Sequence, residues 1–154
     1  MISGWGINGI TTLTSGTPLS FLTSNNTTNS FGGNQRPNVV AGCQKSLSGS
    51  AQSRIDKWFN TSCFTAPAPF TFGNESRTDP ELRGHGGANF DFAMFKDTKL
   101  RERLALQFRG EIFNLFNRVQ FGLPNQTFGS LTFGQVTTQA NNPRLVQLAL
   151  RLKF

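Results

Sequence analysis

The stretch Arg144-Leu145-Val146-Gln147-Leu148-Ala149-Leu150-Arg151-Leu152-Lys153-Phe154 decides the fold. Val146, Leu148, Leu150, Leu152 and Phe154 occupy every even position and are all apolar, whereas Gln147, Ala149, Arg151 and Lys153 alternate with them. Successive side chains of a strand point to opposite faces, so a strand over 144–154 has one apolar and one polar face. A helix would bring Leu148, Arg151 and Leu152 to one side and destroy the separation.

The same period of two recurs upstream. Over 103–113, Leu104, Leu106, Phe108 and Ile112 share one face with Gly110 among them, and Arg103, Gln107, Arg109 and Glu111 share the other with Ala105. Over 89–98, Phe90, Phe92 and Met94 oppose Asp91 and Ala93, and the pattern blurs at Phe95-Lys96, where a bulge or the strand end is expected. Over 4–14 the alternation is weak, with Trp5, Ile7, Gly9, Thr11 and Leu13 on one side; Asn8-Gly9 has the composition of a hairpin turn, but too few residues precede it to supply a partner strand.

The connections are unequal. Residues 99–102 are predicted to make a tight turn, whereas 15–88 and 114–143 read as two long loops, far beyond the roughly 15 residues usual inside compact soluble domains. Within the first loop, Ile55, Trp58 and Phe59 are spaced for a short helix over 52–59, with Ser53 available as a cap. Ala66-Pro67-Ala68-Pro69 favours an extended path.

Composition narrows the function. Sixteen Phe and 16 Gly, against 15% charged residues, suit strands, turns and polar loops better than a helical bundle. The net charge of +7 comes from scattered basic residues, and the densest group, Lys96 to Arg103, is interrupted by Asp97 and Glu102, so no nucleic-acid partner is expected. No apolar run has the length of a membrane helix, and Met1 to Gly6 lacks the pattern of a signal peptide. Cys43 and Cys63 are the only cysteines: they either close a loop by a disulfide in an oxidising compartment or are two unrelated thiols.

An apolar strand face meets either a protein core or lipid. A sandwich of this length needs about seven short strands with frequent turns, and only four long ones are found. Charges on the opposite face suit a wet barrel lumen and the solvent side of an ordinary sheet alike, so it is the asymmetry of the connections that favours a barrel. Strands of about nine to eleven residues cross a bilayer when tilted. The fold class expected is therefore all-β: an antiparallel transmembrane β-barrel segment of about four long strands with two long extracellular loops. Four strands cannot close a barrel, because the smallest common ones use about eight, so the chain is expected to be part of something larger. The lipid-facing residues would be Leu104, Leu106, Phe108, Ile112, Val146, Leu148, Leu150 and Leu152; the lumen-facing ones would be Arg103, Gln107, Arg109, Glu111, Gln147 and Arg151.

Four stretches resemble a known family. They are Gly4-Trp5-Gly6-Ile7-Asn8-Gly9-Ile10 with Ser15-Gly16-Thr17-Pro18; Trp58-Phe59-Asn60 with Phe64, Ala66-Pro67 and Phe72-Gly73-Asn74; Leu106 to Asn117, carrying Arg109-Gly110-Glu111-Ile112-Phe113-Asn114-Leu115-Phe116-Asn117, with Phe121-Gly122 and Pro124-Asn125 after it; and the strand ending in Phe154. The third is the most specific. Together they resemble the C-terminal barrel portion of TonB-dependent outer-membrane receptors of the Oar-like, acidobacterial type. The resemblance implies a barrel of about 22 strands around a plug, located in the bacterial outer membrane, that imports a scarce ligand with energy passed through TonB. The implied partners are the rest of the barrel and the plug, TonB through that plug, lipid, an unknown ligand, and the outer-membrane assembly machinery, for which Phe154 would be the signal. The plug is not in this chain, so transport by these residues alone is not expected. With Phe154 periplasmic, 103–113 would run outward, 99–102 would lie in the periplasm, and 15–88 and 114–143 would be extracellular.

No catalytic constellation is present, and neither enzymatic activity nor a cofactor or metal is expected. His85, the only histidine, stands between glycines and is read as a flexible loop residue. Asp79 and Glu81 are separated by Pro80 in a polar loop, with nothing nearby to hold them as an acid/base pair. Phe31-Gly32-Gly33-Asn34 and Gly84 to Gly87 lack the strand and helix context of phosphate loops. The alternative function is a secreted or surface β-rich module recognising a glycan or protein through its long loops.

Overall fold

A computed structural model describes residues 3–154. In chain order the strands are β1 (Trp5–Thr14), β2 (Leu22–Thr23), β3 (Asn38–Val39), β4 (Phe64–Thr65), β5 (Gly87–Arg101), β6 (Leu104–Phe113), β7 (Thr127–Phe128) and β8 (Leu145–Lys153). Two compact units result: one holds the long strands, and the other comprises Ser15–Gly86 with Phe121–Gln139.

The first unit is one open, four-stranded antiparallel sheet in the order β1-β5-β6-β8. Its fold class is the all-β, antiparallel one that the alternation predicts. The chain leaves the sheet after Thr14, which pairs with Gly87, and again after Phe113, which pairs with Leu145, so both long connections depart from one end. The return at the other end is short.

Several local details depart from the sequence reading. β5 extends over 87–101 rather than 89–98, and the two-residue turn is Glu102-Arg103 rather than 99–102. Arg103 is thus a turn residue, not part of the polar strand face. Pairing is regular through Phe95 and Lys96; the irregularity falls between Lys99 and Arg101, where one strand must gain a residue to meet the turn. Asn8 and Gly9 pair with Ala93 and Phe92 inside β1, so they form no hairpin. Gly6 has a local role: the Phe95 ring lies across it where any side chain would overlap, an aromatic covering the gap a glycine leaves in a sheet.

The second unit corrects the reading of 15–88 and 114–143 as loops. Leu19, Phe21, Trp58, Phe59, Cys63, Phe64 and Leu82 form a buried cluster, with Phe128, Phe133 and Val136 packed against it. Phe21 meets Phe59 and Phe64 with ring centroids 5.0 and 4.6 Å apart, and Phe133 meets Phe59 and Phe64 at 5.1 and 5.6 Å. Such edge-on and tilted pairs contribute about 0.5–1.5 kcal/mol each beyond the area they bury. Two short pairings tie the unit together: parallel β2–β7, joining Leu22 to Thr127, and antiparallel β3–β4, joining Val39 to Phe64. Cys43 and Cys63 form a disulfide with Cα atoms 5.5 Å apart. Closing a ring of that size removes unfolded-state freedom worth about 3 kcal/mol. The expected helix over 52–59 shrinks to a single 3-10 turn, Gln52–Arg54, without a side-chain cap from Ser53; beyond it the chain leaves helical geometry, Phe59 bridging to Ser46, and Trp58 and Phe59 are buried from that non-helical path.

Candidate functional site

The sheet presents two faces of opposite character. In the β6–β8 ladder, Leu106, Phe108, Gly110 and Ile112 oppose Leu152, Leu150, Leu148 and Val146. β5 adds Phe92 opposite Ile112 and Met94 opposite Gly110, and β1 adds Ile7 opposite Met94. Leu104, paired with Arg101 beyond the irregularity, stands in the same alternate set as Leu106. This face is bare: Ile7 is 74% exposed, Leu148 70% and Leu150 68%. Contiguous exposed apolar area on this scale marks a surface that another phase or partner covers.

The apolar face also carries further aromatics and one cation. Trp5 pairs with Lys96 in the row shared with Phe108 and Leu150, and Lys96 Nζ lies 4.8 Å from the Trp5 ring centroid. Toward the end where the long connections leave, Phe90 packs on Phe116 at 5.0 Å.

The other face is cross-linked by polar side chains. Lys153 pairs with Asp97 at 2.9 Å, and Gln107 Nε2 donates to both oxygens of the same carboxylate at 3.0 and 3.2 Å, so Asp97 joins β5 to β6 and β8. Arg109 pairs with Glu111 at 2.6 Å on β6. Gln107, Arg109 and Glu111 stand opposite Arg151, Ala149 and Gln147 across the ladder. The predicted polar set is thus brought together on one face, except Arg103.

The Phe113-Asn114-Leu115-Phe116-Asn117 run explains itself in the structure. Asn114 and Asn117 have φ of 52° and 50°, a left-handed backbone that asparagine tolerates better than most residues. Each carboxamide then latches the chain leaving β6. Asn114 Nδ2 donates to the carbonyls of Arg118 and Asn142, both at 3.1 Å, and Asn117 Oδ1 accepts from the Arg144 backbone N–H at 2.9 Å. Asp91 Oδ1 accepts from the Asn114 backbone N–H and from Asn89 Nδ2, each at 2.8 Å. Around them lies a cleft of about 510 Å³ lined by Asn89, Asp91, Asn114, Gln120, Asn141 and Asn142 among others, a surface rich in paired donors and acceptors.

Residues set aside in the sequence reading have other roles. Asp79 lies in no polar loop: it is fully buried, pairs with Lys45 at 2.5 Å, and its other oxygen accepts from the N–H groups of Glu81 and Leu82 at 2.8 Å. It closes the 79–82 turn, whereas Glu81 is exposed. His85 is no free loop residue either; its ring packs edge-on against Phe121 and Trp58 at 5.2 and 6.3 Å. Among the described residues, no group of three or more His, Cys, Asp or Glu side chains could hold a metal ion.

An antiparallel sheet with one bare apolar face, one ion-paired polar face and two edges without a partner strand among the described residues is a segment of a transmembrane β-barrel wall. Residues 1–147 match the sequence family described as outer membrane beta barrel domain, and the chain belongs to that family. Its place is the bacterial outer membrane. The curated proteins and the solved structures contain no match.

Proposed function

We propose that this chain is the C-terminal barrel portion of a TonB-dependent outer-membrane receptor of the Oar-like type, acting in ligand import rather than as an enzyme. The observation that carries the reading is the open sheet of the Leu106/Leu152, Phe108/Leu150 and Ile112/Val146 ladder, whose outer edges on β1 and β8 have no partner strand among the described residues. Lipid does not tolerate unpaired backbone donors and acceptors, so further strands complete the wall. In this reading Leu104, Leu106, Phe108, Ile112, Val146, Leu148, Leu150 and Leu152 face lipid, and Gln107, Arg109, Glu111, Gln147 and Arg151 line the lumen. Phe154 serves as the assembly signal. The turn at Glu102-Arg103 is periplasmic, and the disulfide-linked unit is extracellular. The partners are the remaining strands, a plug, TonB, lipid, the assembly machinery and a ligand that the plug and outer surfaces select.

The test is the natural protein. An antibody against the disulfide-linked unit should detect, in isolated outer membranes, a polypeptide several times longer than these 154 residues. Protein sequencing of that band should yield a plug preceding further alternating strands. A band of about this chain's own length in culture supernatant, absent from outer membranes, would overturn the receptor reading in favour of a secreted binding module.

A further inference from the structure

We infer that the disulfide-linked unit carries a binding cleft for a small anionic ligand with an apolar, aromatic-sized body, held between Arg36 and Arg77. The cleft has a volume of about 470 Å³, within the range of small-molecule sites. Arg36, Arg77, Gln35 and Asn34 supply part of its polar lining, Leu22 and Phe72 part of its apolar lining, and no carboxylate lines it.

The disposition of the arginines singles this cleft out. The unit contains four. Arg54 stacks on Trp58 at 4.6 Å and donates to the Leu47 carbonyl, and Arg83 donates to the Gly16 carbonyl at 2.9 Å. Arg36 and Arg77 have no hydrogen bond or ion pair from their guanidinium groups among the described residues, and both line the same cleft. A planar, permanently charged fork without an internal partner is suited to a carboxylate or phosphate. Two of them beside one concavity lined by no acid make a site of a single sign.

The scaffold that brings the segments of the two arginines to one cleft is built. Val39 N–H donates to Asn74 Oδ1 at 2.6 Å and Asn74 N–H to Asn38 Oδ1 at 3.0 Å, while Glu75 N–H donates to the Pro37 carbonyl at 3.1 Å. The segment 36–39 is thereby zipped to 73–75. Gly73 permits that approach, because any Cβ there would overlap the main chain of Arg36 and Pro37. Phe72, 78% exposed, stands at the cleft where a flat apolar body could cover it. The site lies wholly within one unit, so its failure would leave the receptor reading intact, and the reverse holds as well.

The test uses the full chain in neutral detergent, with 1-naphthoate as the anionic probe, its uncharged analogue 1-naphthamide, and inorganic phosphate, measured by equilibrium dialysis against empty micelles. One saturable equivalent of naphthoate is expected. Arg36→Gln or Arg77→Gln should each weaken it about tenfold or more, Phe72→Ala should weaken it by less, and the Arg→Lys variants should fall between the wild type and the Gln variants. Naphthamide and phosphate should each bind more weakly than naphthoate. Circular dichroism of the variants should be unchanged, as these are exposed side chains. Equal naphthoate binding by the Arg36→Gln/Arg77→Gln double variant, equal binding of naphthamide or phosphate, or no saturable binding to the folded chain would each overturn the assignment.

Discussion

Replacing Leu150 by Arg is expected to destabilise the full-length barrel by about 2–4 kcal/mol, whereas Gln147→Arg should cost little. Leu150 sits near the middle of β8 opposite Phe108, on the bare face. If that face meets hydrocarbon, a guanidinium there must leave water, which costs about 2–4 kcal/mol at the bilayer midplane and falls toward the interfaces. Gln147 stands three residues away on the polar face, opposite Glu111, so a new cation there joins the Arg109–Glu111 pair in a wet environment and leaves no charge in hydrocarbon. Denaturant titration of the full-length protein in phospholipid bilayers measures both. Equal costs would mean that the two faces see the same solvent.

Asp79→Ala is expected to destabilise the disulfide-linked unit by about 3–5 kcal/mol, the range for removing one partner of a buried pair. Two effects combine. Lys45, whose side chain is 9% exposed, would keep a charge with no counterion, and the N–H groups of Glu81 and Leu82 would lose their acceptor. Such a loss approaches the whole stability of a small folded unit. Asp79→Asn retains an acceptor for the turn but not the charge, so it should fall between. Adding Lys45→Met to Asp79→Ala should recover part of the loss, since removing both charges also removes the penalty for burying them. Trp58, 3% exposed, reports unfolding through its fluorescence in a Trp5→Phe background. A shift of less than 1 kcal/mol for Asp79→Ala would show that the pair contributes nothing the turn needs.

The two units were not equally legible. The long strands declare themselves because a surface that separates two media repeats its chemistry every second residue, as Leu106, Phe108, Leu148, Leu150 and Leu152 do. The sequence pattern ends β5 early because Phe95 and Lys96 invert the alternation, although Asp97, Lys99, Leu100 and Arg101 resume the same phase up to the turn. The second unit carries no sustained period: Leu19, Phe21 and Thr23 alternate inward, but over only five residues. Its core side chains come from isolated positions such as Leu19, Phe59, Leu82 and Phe133, and its parallel pairing joins Leu22 to Thr127 across most of the chain. A two-residue strand leaves no pattern to read. The buried Lys45–Asp79 pair was invisible for the same reason, since nothing local marks either residue as internal. Cys43 and Cys63 were the only sequence sign that the region is tied together, and a thiol pair alone cannot disclose the aromatic cluster around it.

The central claim is that the sheet is a membrane wall with its even-numbered β8 residues in lipid. Nitroxide side chains placed singly at Leu145 through Leu152 of the full-length protein in bilayers test it, by comparing collision with oxygen, which concentrates in hydrocarbon, and with a water-soluble nickel complex. Oxygen accessibility is expected to peak at Val146, Leu148, Leu150 and Leu152 and the nickel complex at Leu145, Gln147, Ala149 and Arg151, with a period of two throughout. Accessibility to the nickel complex at all eight positions, or an oxygen maximum on the Gln147 and Arg151 face, would contradict it.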